Sequence, residues 1–203
     1  MNKVQEISFW DDRYKEDSYA YGILPNEFFK DSIQKFSTGK ILLPAEGEGR
    51  NASYAAQLGF DVDAFDNSKC ARKKAMKLFK EKEIKVNYWL SSYEDIHLKK
   101  SSYQVVASIY AHCEPELRKK IHRSYSDALQ KGGYLILEGF STDQLSFNSG
   151  GPKNIDMLYT EELVEEFHGL KTISVERKII ELNEGLYHIG EASVIQLIMQ
   201  KNS

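Results

Sequence analysis

The sequence has little of what marks secreted, membrane-spanning or nucleic-acid-coating proteins. Its 203 residues include only two cysteines; they form no CxxC pair, so we expect a reducing cytoplasm. No apolar run approaches 18 residues and the first residues are soon polar, so neither a membrane span nor a signal peptide is expected. The 27 basic residues are outnumbered by 30 acidic ones, whereas a general nucleic-acid coat needs a large basic excess.

From residue 40 onward, short apolar runs alternate with helical patterns. Helices are expected over residues 50–58, after a cap at Ser68, from Pro115 and from Thr160. This alternation predicts an α/β fold with a mostly parallel sheet, closed by a C-terminal antiparallel hairpin because no helix separates the last two strands. Strands are predicted near residues 41–43, 60–65, 86–90, 104–110, 134–137 (entered by a turn at Gly132-Gly133), 171–182 and 191–200.

A glycine loop follows the first predicted strand, in the string PAEGEGRNA at 44–52. Gly47 and Gly49 allow the backbone to turn tightly and approach a ligand, and the next helix begins there with free N–H groups. Asp66 ends the second predicted strand about 17 residues after Gly49, near the spacing at which an acid accepts hydrogen bonds from ribose. The pair predicts a cofactor that contains a nucleoside.

Two cofactor classes fit this pair. Gly47-x-Gly49-x-x-Ala52 has the form of a dinucleotide fingerprint, which suits an NAD(P)-dependent oxidoreductase. Methyltransferases that bind a nucleoside carry their glycine loop at the same place. The methyltransferase alternative is favoured because about 40 aromatic-rich residues precede the first strand and a hairpin closes the chain, whereas dinucleotide folds usually begin at strand one.

Seven strings carry a resemblance that spans nearly the whole chain in order. They are FWDDRY at 9–14, YGILPNEFF at 21–29, EGEGRNASYAAQLGFDVDAFDNS at 46–68, SIYAHCEPELR at 108–118, GGYLILEGFS at 132–141, GGPKNIDMLYTEEL at 150–163 and GLYHIGEASVIQL at 185–197. With them the sequence resembles class I S-adenosylmethionine (SAM)-dependent methyltransferases, above all the small bacterial group similar to tellurite-resistance and thiopurine methyltransferases. The resemblance implies a Rossmann-like seven-stranded sheet with helices on both faces, SAM as the cofactor and S-adenosylhomocysteine as its product.

The resemblance also implies roles for individual residues. Residues 45–47 would wrap the methionine part of SAM, Asp66 would hold the ribose hydroxyls and Asn67 would pack against adenine. Leu43 and Ala45 stand where many relatives have an acid and a glycine, and Ser92 replaces an acid that faces adenine. The implied cofactor-binding residues are Trp10, Arg13, Tyr21, Ala45, Glu46, Gly47, Asn51, Asp66, Asn67, Ser92, Tyr93, Ile109 and Tyr110.

His112 is the candidate catalytic base, because it follows the fourth strand closely and an imidazole titrates near neutral pH. A histidine that only packs or caps at the helix entry is the equal alternative. For His188 we expect a structural role, since its neighbours have the pattern of strand and turn. The other histidines lack metal-ligand spacing, so no metal site is predicted.

We therefore expect residues 1–203 to form a single methyltransferase domain, with a helical, aromatic cap at 1–39 and a SAM-binding core at 40–203. The long connection 139–159 is predicted to be a substrate lid. The expected partner is a small-molecule substrate with a thiol, chalcogen oxyanion or other heteroatom nucleophile, with no nucleic acid or membrane partner, and the protein is expected to be a monomer or homodimer. The alternatives are an NAD(P)-dependent oxidoreductase and a non-catalytic SAM-binding protein.

Overall fold

The computed structural model describes residues 3–202, which include one seven-stranded sheet. The sheet order is β3-β2-β1-β4-β5-β7-β6. β7 pairs antiparallel with β5 and β6, and the other neighbours pair in parallel. The predicted Rossmann-like α/β sheet with a C-terminal antiparallel hairpin is confirmed. The strands are β1 Lys40–Pro44, β2 Asp61–Asp66, β3 Asn87–Leu90, β4 Tyr103–Ile109, β5 Leu129–Phe140, β6 Leu170–Glu184 and β7 His188–Lys201.

Two helices begin as predicted, one at a capping serine and the other at a proline. Ser68 accepts a hydrogen bond from Ala71 N at the start of α4, and Pro115 stands in the first turn of α5, as predicted. The α-helices are α1 Lys3–Tyr14, α2 Glu27–Ile33, α3 Arg50–Gln57, α4 Lys69–Glu81 and α5 Pro115–Ala128, and the 3-10 helices are Thr142–Ser146, Ile155–Met157 and Glu161–Glu166.

Helices cover both faces of the sheet because successive strand residues point to opposite sides. Ile41 and Leu43 pack in a cluster with residues of α2, α3 and α4. Leu42, between them, belongs to the other cluster, which contains Ile121 and Tyr125 of α5. Both clusters consist of buried side chains, so the sheet is sandwiched between two apolar layers.

One predicted strand start was wrong. Gly132-Gly133 does not turn the chain into a strand; β5 already begins at Leu129, and the β4–β5 register shifts between Tyr103 and Val105. The glycines therefore sit at an irregularity inside a strand, as is common for glycine in sheets. The helix predicted from Thr160 begins there, with Thr160 as its N-cap, and it is a 3-10 helix of six residues, Glu161–Glu166.

The connection after β5 is fastened to β7 along its first half. The buried Gln144 accepts from Ser193 N at 2.8 Å through Oε1, and its Nε2 donates to Ser149 Oγ at 3.0 Å. Ser149 Oγ in turn donates to Glu191 O at 2.6 Å. Residues 139–140, placed in the connection by the sequence, belong to β5. The rest of this half contains the 3-10 helix Thr142–Ser146 and is held by these side-chain hydrogen bonds together with a backbone bond from Ser141 N to Ser193 O at 2.9 Å.

Within residues 3–202, no helix has both the length and the apolar character that crossing a membrane requires.

Gly49→Ala is expected to destabilise the fold more than Gly132→Ala. Both glycines have positive φ, 86° and 74°, which costs alanine about 1–2 kcal/mol. Only at Gly49 would a Cβ clash, at 2.7 Å from the Phe79 ring, whereas a Cβ at Gly132 meets nothing within 4 Å. Overpacking adds about 1–3 kcal/mol, so urea unfolding should give losses of about 3 kcal/mol for G49A and about 1 kcal/mol for G132A. Equal losses would contradict this packing.

Candidate functional site

A cavity of about 450 Å³ lies at the carboxyl ends of the central strands. Its wall includes Ala45 after β1, Asp66 at the end of β2 and Ile109 at the end of β4. β1 and β4 are adjacent in the sheet, and the strand order reverses there, which is where open α/β sheets bind ligands. The volume lies within the roughly 300–1,000 Å³ of small-molecule sites.

The structure brings every site residue named from the sequence into this one cavity. They come from α1, from the segment before α2, from the first turn of α3 and from the ends of β1, β2, β3 and β4 with the loops that follow them. The residues are Trp10, Arg13, Tyr21, Ala45, Glu46, Gly47, Asn51, Asp66, Asn67, Ser92, Tyr93, Ile109, Tyr110 and His112.

The loop between β1 and α3 turns through left-handed conformations. Ala45, Gly47 and Gly49 have φ values of 47°, 62° and 86°, so Ala45 adopts a conformation that glycine would adopt at lower cost. Glu46 Oε1 accepts from Ala52 N at 2.7 Å and thereby satisfies a free N–H at the start of α3. Burial of the Glu46 carboxyl raises its pKa to about 7.

Asp66 and Asn67 stand beside this loop. Asp66 Oδ2 accepts from Gly47 N at 2.9 Å and Oδ1 from Ser68 N at 2.8 Å. A carboxylate has about four lone-pair sites, so about two remain for a ligand. Burial raises the pKa of Asp66 to about 6. Asn67 Nδ2 donates to Glu6 Oε1 at 3.1 Å, while its buried Oδ1 has no partner among the described residues.

The loops after β3 and β4 add apolar and aromatic surface. Tyr93 packs edge-to-face on Phe65 with ring centroids 5.9 Å apart, and the buried Ser92 precedes it. Ile109 and Tyr110 also line the wall, and Tyr110 has a φ of 53°. These side chains give the cavity apolar surfaces suited to a flat ring.

α1 covers the cavity with an aromatic and cationic cluster. Trp10 stacks on Tyr14 with centroids 5.6 Å apart. The Arg13 guanidinium lies 3.8 Å from the centre of the Tyr187 ring, and its Nη1 donates to Tyr21 OH at 3.2 Å. The same aromatic residues therefore pack against one another and line the cavity.

Polar contacts fasten the segment 20–26, between α1 and α2, to the glycine loop and to the start of α3. Glu48 Oε2 accepts from Ala20 N at 2.8 Å, and the Glu48 carboxylate forms an ion pair with Lys74. Asn51 Oδ1 accepts from Asn26 N at 2.9 Å. The cavity wall thus depends on contacts between residues far apart in sequence.

Both ring nitrogens of His112 are occupied by backbone groups. Nε2 accepts from Phe140 N at 2.9 Å, and Nδ1 lies 2.8 Å from Met157 O, to which it donates. Burial, the dominant effect, lowers the pKa of His112 to about 4. This arrangement leaves no lone pair for a substrate proton and favours the alternative, a histidine that joins β5 to the 155–157 turn.

Sequence reasoning missed a second histidine that lines the cavity. His188 Nδ1 lies 3.1 Å from Glu184 Oε2, and Arg50 Nη2 donates to that same oxygen at 2.9 Å. The four-residue spacing of Glu184 and His188 was visible in the sequence, but only the hairpin turn between β6 and β7 brings the side chains together.

The second half of the 139–159 connection borders the same cavity. Its lining residues are Gly151, Pro152, Lys153, Asn154 and Met157.

Among residues 3–202, no group of three or more His, Cys, Asp and Glu side chains is placed to hold a metal ion.

Residues 41–133 match the family described as "Methyltransferase domain". That segment runs from β1 into β5 and contains the glycine loop, Asp66 and the ends of β3 and β4. No curated protein matches the chain in sequence.

Solved structures share the fold over nearly the whole chain. One, reported for conversion of a disulfide bond into a thioacetal group during echinomycin biosynthesis, has a TM-score of 0.79 at 14% identity and covers 97% of this chain and 93% of its own. TehB from Haemophilus influenzae has a TM-score of 0.72 at 16% identity, with 97% and 67% covered. A SAM-dependent methyltransferase from Anabaena variabilis has a TM-score of 0.72 at 16% identity, with 100% and 96% covered.

The matched segment, residues 41–133, is somewhat less than half of the 203-residue chain, and the solved structures, at 14–16% identity, show a shared fold. In this chain the matched segment supplies one side of the cavity, whereas α1, the 139–159 connection and the C-terminal hairpin border it from elsewhere.

Glu46→Gln is expected to flatten the pH dependence of the protein's stability. A folded-state pKa of about 7, above the ordinary 4.5, means that the folded state holds this proton more tightly. Stability therefore falls as pH rises from 4.5 through 7. Between pH 5 and pH 8, the fall in the free energy of unfolding should be smaller in E46Q by up to about 3 kcal/mol.

The measurement is urea unfolding of the ligand-free protein at several pH values. The glutamine side chain in E46Q can still accept from Ala52 N, so the cap is kept. Glu165→Gln, at an exposed position, is the control and should keep the wild-type slope. If the free energy of unfolding of E46Q varied with pH as steeply as that of the wild type, the assignment of the raised pKa to Glu46 would be contradicted.

Proposed function

We propose that this enzyme transfers a methyl group from SAM to a small-molecule acceptor with a thiol, chalcogen oxyanion or other heteroatom nucleophile. The observation that carries the proposal is the convergence of the loops after β1, β2, β3 and β4, together with α1, on one cavity. A volume of about 450 Å³ suits small ligands rather than a macromolecule.

The residues present fit a nucleoside. Asp66 keeps about two lone-pair sites for the ribose hydroxyls after accepting from Gly47 N and Ser68 N. The buried, unpartnered Oδ1 of Asn67 needs a donor, which a bound ligand would supply, since a buried polar atom without a partner is costly. Tyr93 and Ile109 provide apolar surface for adenine.

The residues at the glycine loop fit the amino-acid part of SAM. The backbone of Ala45 and Gly47 borders the cavity, and the Glu46 carboxyl lies beside it. We assign Glu46 and Asn51 to the ammonium group of SAM and Arg13 to its carboxylate. Each side chain is complementary in charge or hydrogen bonding to the group that it would contact.

SAM, when bound, supplies a methyl group on a sulfonium that is already activated for in-line displacement. The protein's task is then to position the acceptor and exclude water, and orientation alone contributes about 7–11 kcal/mol in well-aligned cases. Trp10, Tyr21 and Tyr110 present aromatic surface that stabilises a nearby cation. None of these roles requires a metal ion.

We further propose that residues 1–203 act as one methyltransferase domain. In this proposal residues 1–39 are the cap, residues 40–203 are the SAM-binding core and the 139–159 connection is the substrate lid. What supports it is that α1 and residues 151–157 both border the cavity. Residues 141–149 are tied to β7 by Gln144 and Ser149, so any lid movement would be confined to the second half.

Asp66→Ala is expected to weaken binding of S-adenosylhomocysteine by about 1–3 kcal/mol, through loss of charge-assisted hydrogen bonds to ribose. Titration calorimetry on the full chain gives the affinities. Asp61→Ala on the same strand is the matched control, because Asp61 is exposed at the far end of β2. Unchanged affinity in D66A would remove Asp66 from the site, and NADH binding without S-adenosylhomocysteine binding would refute the proposed function.

A further inference from the structure

His188 is held so that one ring nitrogen remains open. Its Nδ1 lies 3.1 Å from Glu184 Oε2, and its Nε2 makes no hydrogen bond within the described part of the chain. The side chain is buried, with 6% of the residue exposed, and it lines the cavity. A histidine in this position contrasts with His112, whose two nitrogens are both bonded to backbone.

The carboxylate beside His188 is firmly fixed. Glu184 Oε2 accepts from Arg50 Nη2 at 2.9 Å, and Oε1 accepts from Asn26 Nδ2 at 3.1 Å. Burial would raise the pKa of Glu184, but the hydrogen bond with His188 and the Arg50 guanidinium hold it down to about 2. Because the neighbour is an acceptor only, Nδ1 of a neutral His188 carries the proton and Nε2 carries the lone pair.

Three aromatic rings fix the orientation of the imidazole. The ring centroids of Tyr21, Tyr110 and Phe140 lie 4.5, 4.7 and 5.2 Å from that of His188. At the Cδ2–Nε2 edge stands Gly150, where a Cβ would lie 2.8 Å from Cδ2 and 3.3 Å from Nε2. Glycine at this position leaves this edge free of the side chain that any other residue would place there.

The surroundings keep this imidazole neutral at physiological pH. Burial has the largest effect and lowers the pKa of His188, and the two arginines lower it further, while Glu184 raises it. A neutral imidazole is the form that accepts a proton. The charged and titratable groups around it are Arg13, Tyr21, Arg50, Tyr110, His112 and Glu184.

We infer that His188 is a further catalytic residue, the base that removes a proton from an O–H, N–H or S–H acceptor, with Glu184 as its positioning residue. The inference rests on the proposed function and narrows it to acceptors that arrive protonated. The acceptor's proton passes to His188 Nε2 while its heteroatom's electron pair forms the bond to the methyl carbon. The electron pair of the broken carbon–sulfur bond stays on sulfur, and the imidazolium later releases its proton to water.

The first experiment reads the imidazole directly, without turnover. ¹⁵N-histidine NMR of the full chain, with His188→Asn to assign the signal, should show a protonated Nδ1 and a bare Nε2 at pH 7. Phenol, used as the probe at saturating S-adenosylhomocysteine, should shift the Nε2 resonance. Glu184→Gln should raise the population of the other tautomer. A protonated Nε2 at pH 7, or no response to phenol, would overturn the inference.

The second experiment compares two probes of similar shape, phenol and thiophenol, of which thiophenol ionises far more readily. With SAM as donor, H188N should lose at least about 100-fold in kcat on phenol, the scale of general-base catalysis, and a smaller factor on thiophenol. The wild-type rate on phenol should rise with pH through the His188 pKa and then level off. Equal losses on the two probes would contradict a base.

His97→Asn, at an exposed histidine, is the matched control and should keep wild-type rates. Failure of the wild type to bind S-adenosylhomocysteine would count against the proposed function. A His188 that is protonated at Nε2 instead of Nδ1 would count against its role as the base. If neither probe is methylated, the NMR result alone decides: a bare Nε2 that responds to phenol supports the base, and a protonated one refutes it.

Discussion

The carboxylate of Glu184 is the contact on which the cavity most depends. It accepts from Arg50 at the start of α3, from Asn26 at the cap of α2 and from His188 at the start of β7, so it joins three parts of the chain. Leaving one partner of such a buried pair alone costs about 3–5 kcal/mol, because the remaining charge stays desolvated. The register of the β6–β7 hairpin places Glu184 opposite His188. The hydrogen bond between these two side chains therefore depends on that register.

Because Glu184 makes these contacts, the C-terminal hairpin is part of the cavity. The glycine loop and Asp66 form one side of the cavity. However, α1 and the segment 20–26 that follows it need contacts that this loop alone does not supply. Glu48 holds that segment from one side, and Glu184 holds Asn26 from the other. β7 reaches the central sheet only by pairing antiparallel with β5, so the antiparallel hairpin delivers Glu184 and His188 to the cavity.

The sequence predicted what depends on local patterns and missed what depends on distant partners. Gly47, Gly49 and Asp66 were recognisable because their spacing follows from one strand–loop–helix unit. His112 looked like a base from its place after β4, but Phe140 N and Met157 O, from elsewhere in the chain, occupy its nitrogens. For His188 a structural role was expected from its strand-and-turn neighbours; its place in the cavity wall depends on distant partners such as Arg50 and Asn26 around Glu184, which no local pattern reports.

The charges of the cavity bear on the choice between the two cofactors that the glycine loop allows. Burial raises the pKa of Glu46 and Asp66, which means that these carboxyls lack enough positive charge nearby. Arg50, the buried cation in the wall, is already paired with Glu184. A dinucleotide would add its anionic diphosphate to these acids, whereas SAM brings a sulfonium and an ammonium against one carboxylate. Acidic side chains outnumber Arg13, Arg50 and Lys153 in the wall, so the electrostatics favour the cationic cofactor.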